Sequence, residues 1–275
     1  MTKEDDLTAR IEEWESIRQA SRLSARLVYE VIRRDGEEEL NRPTSSLVWS
    51  GVAGGVVISF SVLVMSIFQS YLPDAKWRPM IESFGYSFGF LLVILGRLQL
   101  FTENTITTVI PLYTGFSLSK LRQVTRLWII VFLANLVGAA IAAHFLSFSG
   151  AIAEPVQAAI LDISLHLIQF TQIEILVKGI PAGILIAALV WILPSVKSPL
   201  FAIIVITYVI SLGKFTHVVA GSVEVAYLVA ENQITLWHAV WGIILPSFVG
   251  NVIGGTAVFT LMAWGQVRKE HYKKS

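Results

Sequence analysis

The sequence has no cysteine. Disulfide staples, thiol nucleophiles and zinc–thiolate centres are therefore excluded. Charge is scarce too: 15% of the 275 residues are Asp, Glu, Lys or Arg, 54% are hydrophobic, and mean hydropathy is +0.65. That balance excludes an ordinary soluble domain and points to an integral membrane protein. The length leaves no room for a soluble catalytic domain beside a membrane one, so no enzymatic activity is expected. His144, His166, His238 and His271 show no metal-ligand spacing. No metal, cofactor or nucleic-acid partner is expected. The first 44 residues are polar, so no secretory signal peptide is expected.

What stands out against this apolar background is the stretch 213–221. It lies in a run over 199–229, longer than the roughly 20 residues that cross a bilayer. Lys214 and His217 sit near its middle, where ionisable groups are costly unless they face protein or a watery cavity. Gly213 and Gly221 bracket them, and a helix breaks cheaply at glycine. The stretch reads as a membrane helix interrupted around His217. The plainer alternative is a buried histidine bonding a neighbouring helix.

A second copy lies at 96–104, inside the run 83–112, and again begins with glycine and a cation, Gly96 and Arg97. The segment around Asn135 and Gly138 matches that around Asn251, Gly254 and Gly255. The offsets are 117 residues for the interruptions and 116 for the asparagines. Gly51-Val52-Ala53-Gly54-Gly55 likewise resembles Gly179-Ile180-Pro181-Ala182-Gly183. The chain is a duplication with corresponding interrupted helices, the sequence pattern that marks a transporter's binding site. The small residues around Asn135 and Asn251 are expected to allow close helix packing.

The domain reading is an amphipathic helix within 1–44, a six-helix membrane domain over 45–266 and a tail over 267–275. In the first, Leu7, Ile11, Trp14, Ile17, Leu23, Leu27 and Val31 recur at helical spacing, and Asp35-Gly36 is expected to stop the helix. The helix is expected to dock on the protein's own underside or to bind a partner. Spans are expected at 47–70, 83–114 (broken), 124–148, 173–194, 199–229 (broken) and 237–265. Trp49, Trp77, Trp128, Trp191, Trp237 and Trp264 suit an aromatic belt at span ends. Lys and Arg number eight in the N-terminal tail, then three, one and four in alternate loops and the C-terminal tail, against two in the intervening loops. That asymmetry places both termini in the cytoplasm and inverts the second half relative to the first.

Arg97, Lys178 and Lys214 fall inside expected spans, with Glu103, Glu174 and Glu224 as the nearby acids. Helix N-termini at the breaks and three buried cations favour a small anionic permeant. Lys178 could instead snorkel outward, and Arg97 could pair with Glu103.

At these residues the chain resembles the formate/nitrite transporter family. The matching motifs are Leu100-Phe101-Thr102, Phe215-Thr216-His217 and Gly250-Asn251-Val252-Ile253-Gly254-Gly255. Arg34-Asp35-Gly36-Glu37-Glu38-Glu39-Leu40 and the stretch His217-Val218-Val219-Ala220-Gly221-Ser222-Val223-Glu224 are similar to the family's YfdC-like branch. The resemblance implies an aquaporin-like protomer, a homopentamer and a bacterial inner-membrane location. It implies that His217 is the central pore histidine, that Thr102 is its hydroxyl partner, and that Leu100 and Phe101 form hydrophobic constrictions. This chain departs from the familiar formate channels at Thr216 and Gln99, where those have acids, and at Gly221 and Gly183, where those have asparagines. Arg97 and Lys214 are additional charges.

Two functional classes follow. The first is a channel or transporter for small monovalent weak-acid anions, with His217 coupling passage to a proton. Its reference pKa of about 6.5 suits that role, and Phe101, Leu100 and Phe215 would exclude water around it. The second is a non-transporting scaffold or sensor that acts through the N-terminal helix. A neutral-solute channel would be served poorly by buried cations.

Overall fold

A computed structural model describes residues 23–271, and every regular element among them is helical. The first, α1 (Ala25–Leu40), is capped by Ser24, whose hydroxyl accepts from the Leu27 N–H. The helix passes through the expected stop at Asp35-Gly36. Gly36 lies so close to the Thr107 carbonyl that a Cβ there would collide with it. A tertiary close approach, not a chain reversal, accounts for this glycine. Arg33 pairs with Glu30 at 2.6 Å and with Glu37 at 2.7 Å along the outer side. The hydrogen bond from Arg33 holds the Glu30 carboxyl down at about 2. Burial, aided by Glu38, raises Asp35, and Arg97 opposes that shift.

The apolar face of α1 is not the expected one. Val28, Tyr29 and Ile32 are buried against Ile106, Ile110 and Val267, whereas Leu23, Leu27 and Val31 are exposed. The other members of the expected stripe, Leu7, Ile11, Trp14 and Ile17, lie outside the described residues.

Then follow α2 (Thr44–Val57), α3 (Ser59–Tyr71), α4 (Arg78–Leu95), α5 (Phe101–Thr107), α6 (Ile110–Thr114) and α7 (Leu118–Phe148). The second half holds α8 (Glu154–Leu165), α9 (Gln172–Ile192), α10 (Pro199–Leu212) and α11 (Val218–Ala230). The last apolar helix contains α12 (Leu245–Val252) between π-helical segments His238–Ile244 and Ile253–Thr260, and continues into α13 (Leu261–His271). Among the described residues, five helices are long and apolar enough to cross a membrane: Thr44–Tyr71, Arg78–Leu95, Leu118–Phe148, Gln172–Ser195 and His238–Lys269. Pro199–Leu212 and Val218–Ala230 are apolar but shorter. The chain is a multi-pass membrane protein. The face where α2 begins, beside α1, is termed proximal, and the face where α3 ends distal.

Two helix pairs approach closely enough to exclude side chains. A Cβ on Gly138 of α7 would meet the Val52 carbonyl and Val56 amide of α2, and one on Gly254 would meet the Ile180 carbonyl and Ile184 amide of α9. Without a hydrophobic drive between helices in lipid, such backbone proximity supplies the dispersion that holds them together. The tryptophans divide. Trp49, Trp77 and Trp237 are exposed at span ends. Trp128 instead turns inward, its indole N–H donating to Thr108 Oγ1 at 3.0 Å.

Candidate functional site

The two interruptions have one geometry. Helix α4 closes at Gly96 and α10 at Gly213, with φ of −74° and −75°. These are ordinary helical angles. The left-handed residues are the cations that follow, Arg97 and Lys214, both at φ 51°. Leu98 N–H reaches back to the Val93 carbonyl at 3.0 Å, and Phe215 N–H to the Ile210 carbonyl at 3.0 Å. Both turns are Schellman closures in which a cation takes the position usually given to glycine. The glycines are needed for space: a Cβ on Gly213 would strike the Phe215 ring, and one on Gly96 the Leu92 carbonyl. Gly221 lies inside α11 and unwinds nothing.

After each closure the chain runs extended for a few residues, and an asparagine from a third helix satisfies it. Asn135 Oδ1 accepts from Phe101 N–H at 2.9 Å, and its Nδ2 donates to the carbonyls of Gln99 at 2.8 Å and Gly51 at 2.7 Å. Asn251 Oδ1 accepts from Val218 N–H at 2.8 Å, and its Nδ2 donates to Thr216 and Gly179 at 2.8 and 2.9 Å. Both side chains are fully buried. Packing alone was expected of these asparagines; they are clamps, because non-helical backbone at this depth must find its hydrogen bonds within the protein. Gly255 lies against the Thr105 side chain beside the first break.

The breaks meet at Thr102 and His217. Thr102 Oγ1 and His217 Nε2 are 2.7 Å apart, and both residues are buried. His217 is also the N-cap of α11, its Nδ1 accepting from the Ala220 N–H at 3.2 Å. With Nδ1 as acceptor, the neutral ring carries its proton on Nε2, directed at the threonine. Phe90 closes over the imidazole edge-on, with centroids 5.0 Å apart. Nothing in the sequence distinguished Phe90 from the other apolar residues of its run.

A cavity of about 200 Å³ reaches His217 from the distal side, between α3, α4, α8 and α11. Lys214, Phe215, Thr216, His217 and Gly221 line it, and Arg97, Leu100, Phe101, Thr102 and Lys178 do not. Leu100 and Phe101 are buried, and Phe101 stacks on Phe248 at 5.0 Å. Of the three cations expected along one pathway, Lys214 alone lines the cavity. Arg97 is exposed on the proximal side, close enough to α1 to act on Asp35. Lys178 lays its ammonium 4.6 Å from the Phe170 ring centroid. Nor does Arg97 pair with Glu103, whose Oε1 is buried without a partner. Lys214 and His217 do not share a helical turn, since 213–217 is not helical, yet both face the cavity.

The charges that sequence reading missed are Arg78, Glu82 and Asp162, from α4 and α8. With Glu224 they give the cavity three carboxyls against two cations, so it is not a cationic funnel. Their signal was weak, because Arg78 and Glu82 stand just before an expected span and Asp162 in a connection between two spans, where any charge is unremarkable. Departure positions are also occupied. Thr216 Oγ1 donates to the Ile175 carbonyl at 2.7 Å, while Gln99 Nε2 donates to Glu39 of α1 at 2.7 Å and its Oε1 accepts from Asn104 at 3.0 Å. Among the described residues no cluster of His, Asp or Glu has metal-binding geometry.

Residues 26–265 match the family model described as formate/nitrite transporter. The chain is 38% identical over 251 residues to inner membrane protein YfdC of Escherichia coli (strain K12), spanning 91% of this chain and 81% of that protein. It is 26% identical to the formate channel FocA of Haemophilus influenzae, over 78% of this chain and 84% of that one. Among solved structures, an FNT family ion channel aligns at TM-score 0.77 and 19% identity, covering 87% of this chain and 98% of that one. A pentameric formate channel with formate bound aligns at TM-score 0.70 and 17% identity, covering 82% and 98%. These solved structures share the fold.

Proposed function

The chain belongs to the formate/nitrite transporter family, and on that premise we propose that it is a membrane channel or transporter for small monovalent weak-acid anions, of the formate and nitrite kind. His217 governs passage through its proton. The observation that carries this reading is the buried 2.7 Å pairing of Thr102 with His217 where a distal cavity ends. A bare anion crossing apolar surroundings there bears a desolvation cost of several kcal/mol, which a neutral acid largely avoids. The Nε2 proton and the Thr102 hydroxyl are polar groups placed where the permeant sheds its water.

The same reading takes the helical segments as six spans in two inverted halves of three, with the second and fifth interrupted. The paired asparagine clamps support it, as does the position of Arg97 toward the proximal face and Lys214 toward the distal cavity. By its relatives it is a homopentamer in a bacterial inner membrane. The charge asymmetry puts both termini in the cytoplasm, so the distal cavity opens outward.

Flux of formate, nitrite, acetate, lactate and hydrosulfide into proteoliposomes at two pH values tests the proposal. His217→Asn keeps size and hydrogen bonding but cannot titrate. Weak-acid flux with an altered pH dependence in His217→Asn is expected. Unaltered rate and pH dependence in a folded His217→Asn protein would remove the proton role. Wild-type protein inert toward every acid would favour a scaffold or sensor that acts through α1, which packs on the membrane domain's proximal face.

A further inference from the structure

Within that transport reading, we propose that Glu224 is the proton-exchange group of the distal cavity, handing a proton to the permeant anion before it reaches His217. Glu224 follows His217 by seven residues on α11, about two turns of a 3.6-residue helix, so the two share a face. Both line the cavity of about 200 Å³.

Glu224 differs from its neighbours in having nothing to hold it. Glu82 stands 3.6 Å from the Arg78 guanidinium, and Asp162 accepts from Gln69 Nε2 at 2.6 Å. Glu224 has neither a hydrogen bond nor an ion pair among the described residues. Its oxygens are available to whatever enters the cavity.

The duplication does not account for it. At the 117-residue offset Ser222 corresponds to Thr105, and both hydroxyls bond their own helix, to Val218 at 2.5 Å and Thr102 at 2.7 Å. Glu224 corresponds to Thr107, whose hydroxyl bonds the Glu103 carbonyl at 3.1 Å. A fold satisfied by threonine in one half has no structural need of a carboxyl in the other.

The chemistry requires a donor on this side. His217 has both ring nitrogens engaged within the protein, Nδ1 by Ala220 and Nε2 by Thr102. Its Nε2 proton is directed at Thr102 at the inner end of the cavity, so neutralising an anion earlier, within the cavity, falls to another group. A carboxylic acid matches a permeant carboxylate or nitrite in kind. In the exchange the O–H bond of protonated Glu224 breaks as an O–H bond forms on the permeant oxygen. Neutral acid moves on, and the Glu224 carboxylate regains a proton from water entering by the distal mouth. The titratable and charged groups facing it are Arg78, Glu82 and Tyr86 from α4, Asp162 and His166 from α8, Lys214 before α11, and His217 on α11 itself. The remaining lining elements contribute none.

Formate uptake by proteoliposomes of wild type, Glu224→Gln and Glu224→Asp is measured from pH 5.5 to 8. Glu224→Gln is expected to lose at least about tenfold in rate at pH 8. It should keep most of its rate at pH 5.5, where bulk formic acid bypasses the exchange. Glu224→Asp should restore the wild-type profile. Uptake at pH 5.5 above that of protein-free liposomes also establishes that the pathway is assembled. A Glu224→Gln profile identical to wild type, a uniform loss at every pH, or a gain at every pH through removal of a fixed negative charge would each overturn the proposal. Those outcomes leave the transport reading standing, whereas wild-type protein that moves no acid defeats transport itself and Glu224's role with it.

Discussion

Arg97 and Lys214 hold the same left-handed backbone angle, φ 51°, at equivalent points 117 residues apart. An L residue with a Cβ is strained there by about 1–2 kcal/mol relative to glycine. Arg97→Gly and Lys214→Gly should therefore each raise the thermal midpoint in detergent, and Arg97→Gln and Lys214→Gln should not. If Lys214 serves the cavity through its charge, Lys214→Gly and Lys214→Gln should lower anion flux alike. A flux that follows stability rather than charge would assign the residue to structure.

The asparagine clamps predict matched losses. Asn251→Ala removes three hydrogen bonds at 2.8 to 2.9 Å and leaves a buried N–H and two carbonyls without that partner. Each unsatisfied group costs about 1–3 kcal/mol. Asn135→Ala should cost a similar amount, because its bonds repeat the pattern. Asp at either position keeps the acceptor but loses both donors, so it should not rescue. Thermal unfolding of the purified variants checks this, and tolerance of either alanine would contradict the clamp.

The glycines predict unequal tolerance. Gly254→Ala places a methyl against the Ile180 backbone, where neither partner can yield, and should reduce folded yield sharply. Gly221 lies within α11 and faces open space, with no atom beyond its own helix backbone inside 4 Å of where a methyl group would stand. Gly221→Ala should be tolerated and should stabilise the helix by up to about 1 kcal/mol. Fluorescence-detected size exclusion of the two variants separates them.

The N-terminal helix predicts an acid-sensitive contribution. Glu30 is held at about 2 by Arg33, below its ordinary 4.5. A depressed carboxylate contributes its stabilisation in full above 4.5 and loses it as pH falls toward 2. The pair is partly exposed, so the effect is small. Hydrogen exchange over Ala25–Leu40 should quicken in that window in wild type, and Glu30→Gln should show faster exchange at neutral pH with a flatter acid response.

The sequence by itself determined the class and the symmetry of this protein. Hydropathy marks the apolar runs because a bilayer admits only long stretches free of charge. The duplication shows in spacing, so the break at His217 and both asparagines could be named from the chain alone, whereas Thr102 as the partner of His217 came from the resemblance to the family. What lay in the tertiary structure was the use made of them. Gly36 reads as a helix stop in sequence, yet its role is to let Thr107 approach, and only packing reveals that. Gly96 and Gly213 mark the breaks, but the left-handed angle falls on Arg97 and Lys214, because closure geometry depends on where the returning N–H groups find their carbonyls. Charge assignment differed most. Arg97, Lys178 and Lys214 look equivalent along the chain, and three-dimensional placement sends one to the proximal side, one onto an aromatic ring and one into the cavity. Periodicity along a chain reports which face of a helix is apolar; it carries no information on which faces of different helices enclose the same space.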